Sequence, residues 1–313
     1  MELITTQNEI TVQPQNITID LMKQFEAFID ASPKTVKTYA RAIRQFYKYI
    51  KEAGIARPTR ETVLAYRDEL KATRTPNTVQ TYIVALRLFF QWTEAERLYP
   101  NIAEHIKGAK IDRNHKKGYL TSTQVQHVLK TAKNDDMTSV KGLRNYALLA
   151  LLFTGGLRTI EASRADIEDI QTVGNDTVLF IRGKGREEKT EYIKIVPQVE
   201  RAIRAYLKAR GKADKKEPLF ISTSNNSRGE RMTTRSISGT VKAAFRAAGY
   251  DSDRLTAHST RHTAVTLALL GGGTLQEVQQ FARHSNISTT MIYAHNLDRA
   301  ANKSESTIAA AIF

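Results

Sequence analysis

The sequence predicts a mainly helical protein with one small antiparallel β-sheet, divided into two domains. The chain has 313 residues, of which 41% are hydrophobic and 25% charged, which suits two packed globular domains. Apolar residues recur at helical spacing through most of the chain, and only one region contains runs typical of strands. A polar, basic stretch over residues 107–118 separates the two parts and is typical of a linker.

Charge and composition point to a polyanionic partner. Lys and Arg number 47 against 32 Asp and Glu, a formal net charge of +15, and most of the excess lies after Asp112. The basic residues are spread over many segments and mixed with acids, which favours nucleic acid over a membrane surface. The absence of cysteine excludes disulfides, thiolate metal sites and cysteine nucleophiles. No apolar run reaches the length of a membrane span, so we expect a cytoplasmic, nucleoid-associated protein.

The first domain is predicted to be entirely helical over residues 17–106, after a flexible leader at residues 1–16. Its helices are separated by Gly54, by Pro58, and by the pairs Thr75-Pro76 and Tyr99-Pro100. The segment from Ser32 to Phe46 recurs as Thr75 to Phe89, each copy with a hydroxyl N-cap followed by proline.

The first turn of each repeated helix shows hydroxyl and basic groups, which suits contact with phosphates, although two similarly capped packing helices would have the same pattern. The basic linker could also lie along a phosphate backbone. The candidate DNA-contacting residues are Lys34, Thr35, Lys37, Arg41, Arg44, Asn77, Thr78, Gln80, Arg87, Lys116 and Lys117.

The second domain, over residues 119–295, is predicted to be helical around one hairpin, with a tail at residues 296–313. Strands at 178–181 and 192–196 flank a glycine-rich basic tip, and a third strand at 218–222 could join them. Helices are predicted at residues 121–133, 141–153, 198–210, 234–248, 261–270, 275–283 and 289–296.

Four clusters in this domain carry residues suited to chemistry. Two glycines break a helix before Arg158, which then begins the next helix, where an anion is favoured. Glu161, one turn further on, could hold the Arg158 guanidinium in place, although a surface ion pair would look the same. Lys184 lies between two glycines at the hairpin tip, a place where a loop can approach a ligand closely.

The other two clusters contain histidines. His258 and His262 flank Arg261, and a zinc site built on these histidines lacks a cysteine, a nearby acidic third ligand and the His-Glu-x-x-His pattern. His284 lies in a polar turn before Tyr293, and a tyrosine in such a position is normally a core or interface residue. Together these groups form the set needed to attack a phosphodiester without a metal.

In this order the motifs resemble those of the tyrosine site-specific recombinases, the phage-integrase and Xer-like group. The resemblance runs from about Ile17 to Tyr293 and is strongest toward compact two-domain members without a separate arm-binding domain. Two features depart from the family pattern. Arg283 stands where glycine is usual before His284, and the Thr-Gly-Gly-Leu-Arg run has one residue more than the common form.

The resemblance implies a two-domain clamp on duplex DNA, with a helical core-binding domain and a catalytic domain. Tyr293 would attack the scissile phosphate and form a 3′-phosphotyrosine link. The other implied catalytic groups are Arg158, Arg261 and His284 at the non-bridging oxygens, Lys184 as proton donor to the 5′ oxygen, and His258 at the nucleophile. No cofactor and no metal are implied.

The implied partners are double-stranded DNA with paired recombination half-sites, a homotetramer of the chain in the synaptic complex, and accessory DNA-bending or directionality proteins. The apolar end of the tail would dock on a neighbouring subunit or fold back on its own. We expect the integrase or transposase of a mobile element, with an Xer-like dimer resolvase as the alternative. Two other classes are a type IB topoisomerase and a non-catalytic DNA-binding regulator. The spacing from His284 to Tyr293 and the compact helical first domain argue against the topoisomerase. The regulator would leave the ordered catalytic set without a purpose.

Overall fold

The computed structural model describes residues 17–111, 118–134, 136–183, 188–295 and 304–312. It divides into two compact units, Met1–Asp112 and Arg113–Phe313. The leader at residues 1–16, Lys116, Lys117 and Lys184 lie outside the described residues. None of the described helices combines the length and apolar character that crossing a membrane requires.

The first unit contains four helices in its described part: α1 (Ile19–Phe28), α2 (Pro33–Glu52), α3 (Arg60–Thr73) and α4 (Pro76–Ala95). The N-caps of α2 and α4 are Ser32 and Thr75, whose hydroxyls accept the backbone N–H of Thr35 and Thr78. The two repeats are therefore equivalent capped helices, each with proline at its first position. Together with Phe25 of α1, their inner faces form an aromatic core that contains Phe46, Phe89, Phe90 and Trp92.

The second unit surrounds α6 (Val140–Gly155), whose residues from Ala147 to Phe153 are all apolar and buried. The helices α5 (Ser122–Asn134), α8 (Pro197–Arg210) and α10 (Ala257–Leu270) pack against it. The remaining helices are α7 (Thr159–Arg164), α9 (Thr234–Ala247), α11 (Leu275–Ala282), α12 (Ile287–His295) and α13 (Ser304–Ile312).

The sheet has three antiparallel strands in the order β1 (Ile170–Val173), β2 (Asp176–Ile181), β3 (Glu191–Lys194). Leu179 on β2 lies opposite Ile170 on one side and Ile193 on the other. The predicted strand at 192–196 ends at Lys194, because Pro197 begins α8. The mainly helical fold with a small antiparallel sheet is confirmed.

The prediction that residues 218–222 form the third strand is wrong. The third strand is β1, joined to β2 by a two-residue turn in which Gly174 has a φ of 59°, and this short connection makes β1 the local partner. Residues 218–222 form only isolated bridges, such as Ile221 with Arg231. Phe220 is buried and its ring stacks on Tyr206 of α8, with centroids 5.9 Å apart.

The predicted start of one helix at Arg261 is also wrong, by one turn. Helix α10 begins at Ala257, because Thr256 caps it and donates its backbone N–H to the Ser259 hydroxyl. His258 and Arg261 consequently lie on the same helix, one turn apart. Helix α12 likewise begins at Ile287, two residues before its predicted start.

Candidate active site

The turn between α6 and α7 positions Arg158. Gly156 ends α6 with a φ of 56°, and a Cβ placed on it would lie 3.0 Å from the Phe281 ring, so this position requires glycine. Arg158 follows as the N-cap of α7, and both its backbone N–H and its Nη1 donate to Glu161, each over 2.8 Å. The Arg158 side chain retains 29% exposure, so its guanidinium is held in place and still faces solvent.

Arg261 lies in the second turn of α10 and is 1% exposed. Its Nη1 donates to the carbonyl of Gly156 over 2.6 Å, and its Nη2 donates to the carbonyl of Ala282. The side chain thus links the α6–α7 turn to the end of α11. Burial, together with the charges of Arg158 and Arg283, lowers the pKa of Arg261 to about 10, so the group is still cationic at neutral pH.

His284 and Tyr293 come from the α11–α12 turn and from α12. The Nδ1 atom of His284 lies 2.9 Å from the Thr290 hydroxyl, and its ring lies 5.9 Å from the Tyr293 ring, nearly parallel to it. Burial, reinforced by the charge of Arg261 and its cationic neighbours, lowers the pKa of His284 to about 4. His284 is therefore a neutral imidazole at pH 7 and acts as a hydrogen-bonding group there.

Tyr293 is 6% exposed. Burial raises its pKa, while the charges of Arg261 and Arg158 act in the opposite direction. The phenol is therefore protonated at rest, and its use as a nucleophile requires an acceptor for its proton. The cationic charge beside it favours the phenolate that forms during attack.

A further histidine, His262, borders the tyrosine, and His258 borders His262. The His262 ring, which is buried, lies 5.0 Å from the Tyr293 ring and 4.6 Å from the ring of His258. His258 is exposed in the first turn of α10. Among the described residues no group of three or more His, Cys, Asp or Glu side chains is arranged to hold a metal ion.

The structure therefore gathers five of the six catalytic residues expected from sequence, with Lys184 outside the described residues. The base of the Lys184 hairpin is anchored, because Lys189 Nζ contacts Asp166 over 2.7 Å and Asp169 over 2.8 Å. Arg283 has no site role predicted from sequence, yet its side chain reaches Glu161. The only signal at Arg283 was the departure from the usual glycine.

The candidate DNA-contacting residues of the first unit fall into two groups. The exposed ones are Lys34, Lys37, Arg41, Asn77 and Arg87, together with Arg44. The partly buried ones are Thr35, Thr78 and Gln80. Arg44 pairs with Glu26 over 2.7 Å, so part of its charge is already compensated. The Thr35 and Thr78 hydroxyls bond to the caps Ser32 and Thr75, which orients them at the two helix starts.

A buried tyrosine beside two arginines, on a mainly helical second unit, is the arrangement expected of a DNA-cleaving tyrosine enzyme. Residues 118–300 match the phage integrase family, and residues 23–97 match the N-terminal SAM-like domain of phage integrases. The chain therefore belongs to the phage integrase family and is a tyrosine recombinase, an enzyme of DNA cleavage and religation, as the sequence predicted.

Relatives are similar along nearly their whole length. The tyrosine recombinase XerC of Pelobacter propionicus is 31% identical over 300 residues, covering 89% of this chain and 93% of the relative. The tyrosine recombinase XerC of Myxococcus xanthus is 27% identical over 293 residues, covering 87% and 92%.

Two solved structures share the fold. XerH recombinase bound to a palindromic difH substrate has a TM-score of 0.72 and 20% identity, covering 87% of this chain and 79% of that chain. A lambda integrase dimer bound to a COC′ core site has a TM-score of 0.69 and 15% identity, covering 91% and 79%.

Proposed function

We propose that this chain is a site-specific recombinase that cuts and rejoins duplex DNA with Tyr293 as its nucleophile. The observation that carries the proposal is the position of Tyr293, buried beside the rings of His284 and His262 and under the charge of Arg158 and Arg261. The proximity of two guanidinium groups suits a phosphorane with negative charge on its non-bridging oxygens.

In this reaction the Tyr293 oxygen forms a bond to the scissile phosphorus and the bond from phosphorus to the 5′ oxygen breaks. Arg158, Arg261 and neutral His284 bind the non-bridging oxygens, and His258 assists removal of the phenol proton. Lys184 gives a proton to the departing 5′ oxygen. A 5′ hydroxyl of another strand then attacks the phosphotyrosine, so one ester replaces another and no nucleotide cofactor is consumed.

The biological role that we propose is that of an Xer-like resolvase of chromosome or plasmid dimers. Its support is the similarity to XerC proteins along nearly their whole length, which favours this role over the mobile-element integrase expected from sequence. The proposed partner is double-stranded DNA, which is supported by the fold shared with XerH bound to a difH substrate and with lambda integrase bound to a core site. The proposed assembly on DNA is a homotetramer. A neighbouring subunit would then bury the apolar side of α13, whose Ile308 and Ile312 are 57% and 67% exposed.

The decisive experiment is a denaturing gel of the protein with labelled duplexes, in excess chelator. One set of duplexes comes from the DNA flanking its own gene and another from the replication terminus of the same chromosome. We expect a covalent protein–DNA band with wild type that is absent in Tyr293→Phe and present in Tyr119→Phe, a matched control at a tyrosine that is 41% exposed.

The two sets of duplexes also separate the proposed roles. A band confined to the terminus duplexes supports the resolvase, and a band confined to the gene-flanking duplexes supports the mobile-element integrase. Equal bands with wild type and Tyr293→Phe would refute the assignment of the nucleophile.

A second experiment tests the position of α13. Deletion of residues 304–313 that leaves synapsis unchanged would favour an intramolecular position for this helix.

A further inference from the structure

Arg283 occupies a backbone conformation that glycine usually takes. It ends α11 with a φ of 54° and a ψ of 47°, in the left-handed region that residues with a side chain rarely adopt. Glycine is the usual residue at this point of the family pattern. The contacts of the Arg283 side chain must therefore offset the free energy cost of its left-handed backbone conformation.

The Arg283 side chain is 5% exposed and is held at several points. Its Nη1 donates to the Phe281 carbonyl over 2.7 Å, and its Nη2 donates to the Gly156 carbonyl over 3.2 Å and to Glu161 Oε2 over 3.1 Å. The guanidinium therefore lies behind the α6–α7 turn, where it contacts the same carboxylate that holds Arg158.

Glu161 is the shared element, and it is 1% exposed. Its Oε1 accepts from Arg158 Nη1, while its Oε2 accepts from the Arg158 backbone N–H and from Arg283. Burial alone would raise the pKa of Glu161, but the charge of Arg283 and the bonds from Arg158 outweigh it, so the carboxylate is ionised. In a site without Arg283, this buried anion would be compensated by Arg158 alone.

We propose that Arg283 is a positioning residue for strand cleavage, which neutralises Glu161 and so leaves the charge of Arg158 available to the scissile phosphate. This inference rests on the proposed function. Arg283 does not need to touch DNA for this role, because Glu161 transmits its effect. The site then holds three guanidinium groups, on Arg158, Arg261 and Arg283, against one carboxylate, a net positive charge suited to an anionic transition state.

The test compares Arg283→Met, Arg283→Lys and Arg283→Gly with wild type. Met removes the charge with little change in length, Lys retains the charge, and Gly relieves the left-handed backbone, so at least one neutral variant should keep its fold. Arg246→Met is the matched control, since Arg246 is 61% exposed and pairs with Asp251 on the surface. Thermal unfolding of each variant is recorded first.

Single-turnover cleavage and DNA affinity are then measured on two substrates, one with the natural phosphodiester and one with a neutral methylphosphonate at the scissile position. We expect Arg283→Met and Arg283→Gly to cleave the phosphodiester on the order of tenfold more slowly, a smaller loss than for a direct donor. Affinity should change less than about twofold, since the scissile phosphate is only one of the many phosphates that a DNA-binding protein contacts. Arg283→Lys should recover part of the rate.

The methylphosphonate separates electrostatics from structure. With one anionic oxygen removed, the deficit of the neutral variants relative to wild type should shrink to about twofold or less. A deficit of equal size on both substrates, or wild-type rates for Arg283→Met on the phosphodiester, would overturn the inference while wild type still forms its covalent complex. If wild type forms no Tyr293-dependent complex on any duplex, the proposed function falls and this inference falls with it.

Discussion

Replacing Arg261 with Met, in parallel with Arg158→Met, separates the contribution of an arginine to folding stability from its contribution to DNA cleavage. Arg261 is buried and donates to the carbonyls of Gly156 and Ala282. The Gly156 carbonyl keeps a second donor in Arg283, whereas the Ala282 carbonyl loses the one donor from Arg261. We therefore expect Arg261→Met to lower the free energy of unfolding of the second unit by about 2–4 kcal/mol, the sum of one unsatisfied acceptor and one lost bond.

Arg158→Met should lower the stability less than Arg261→Met does. The Arg158 side chain is 29% exposed, and its partner Glu161 would still be compensated by Arg283. The variant removes the bond from Arg158 Nη1 to Oε1 of buried Glu161, but solvent can approach the partly exposed Arg158 position, so we expect a loss of about 1–2 kcal/mol. In cleavage, however, both variants lose a donor to the non-bridging oxygens, and each should fall by about 10²–10³.

Urea unfolding followed by circular dichroism and by fluorescence measures the stability difference. The single tryptophan, Trp92, lies in the first unit, so its fluorescence follows that unit while circular dichroism follows both. A destabilisation by Arg261→Met should therefore appear in circular dichroism and leave the Trp92 transition in place. Equal unfolding free energies for Arg261→Met and Arg158→Met, or wild-type cleavage by either, would refute this reasoning.

Three further predictions follow from the geometry around the tyrosine. The pKa of His284 is lowered to about 4 in the folded protein. Below the ordinary histidine pKa of about 6.5, this residue is therefore protonated in the unfolded chain but still neutral in the folded protein. Acidification from pH 7.5 to 5 should consequently lower the free energy of unfolding by about 2 kcal/mol through this residue. An NMR titration of its ring, identified by its loss in His284→Asn, checks this, and a midpoint near 6.5 would contradict it. Thr290→Val removes the hydroxyl 2.9 Å from His284 Nδ1, and we expect slower cleavage with nearly unchanged DNA affinity in a filter-binding assay; unchanged cleavage would exclude a role for that bond. Gly156→Ala and Gly174→Ala both place a side chain at positive φ, but only the former meets a neighbour, Phe281 at 3.0 Å, so it should show the larger drop in melting temperature, and equal drops would contradict the packing argument.

The sequence alone determined the features that depend on residues close together in the chain. The capped repeats at Ser32 and Thr75 and the break at Gly156 follow from local backbone preferences, and the structure has them where the sequence predicts. The fold class and family were also predictable, because Arg158, Arg261 and Tyr293 occur in one characteristic order. The prediction missed β1, although the pair Gly174-Asn175 is typical of a two-residue hairpin turn and indicates a strand on each side of it.

Only the tertiary structure decided how distant residues combine. Nothing near Arg261 in the chain shows that it binds the carbonyls of Gly156 and Ala282, and nothing near Arg283 shows that it shares Glu161 with Arg158. The same holds for residues 218–222, whose apolar pattern suits either a strand or the packing of Phe220 on α8. Such pairings depend on which surfaces meet when the helices pack, and local sequence patterns carry no information about a partner far along the chain.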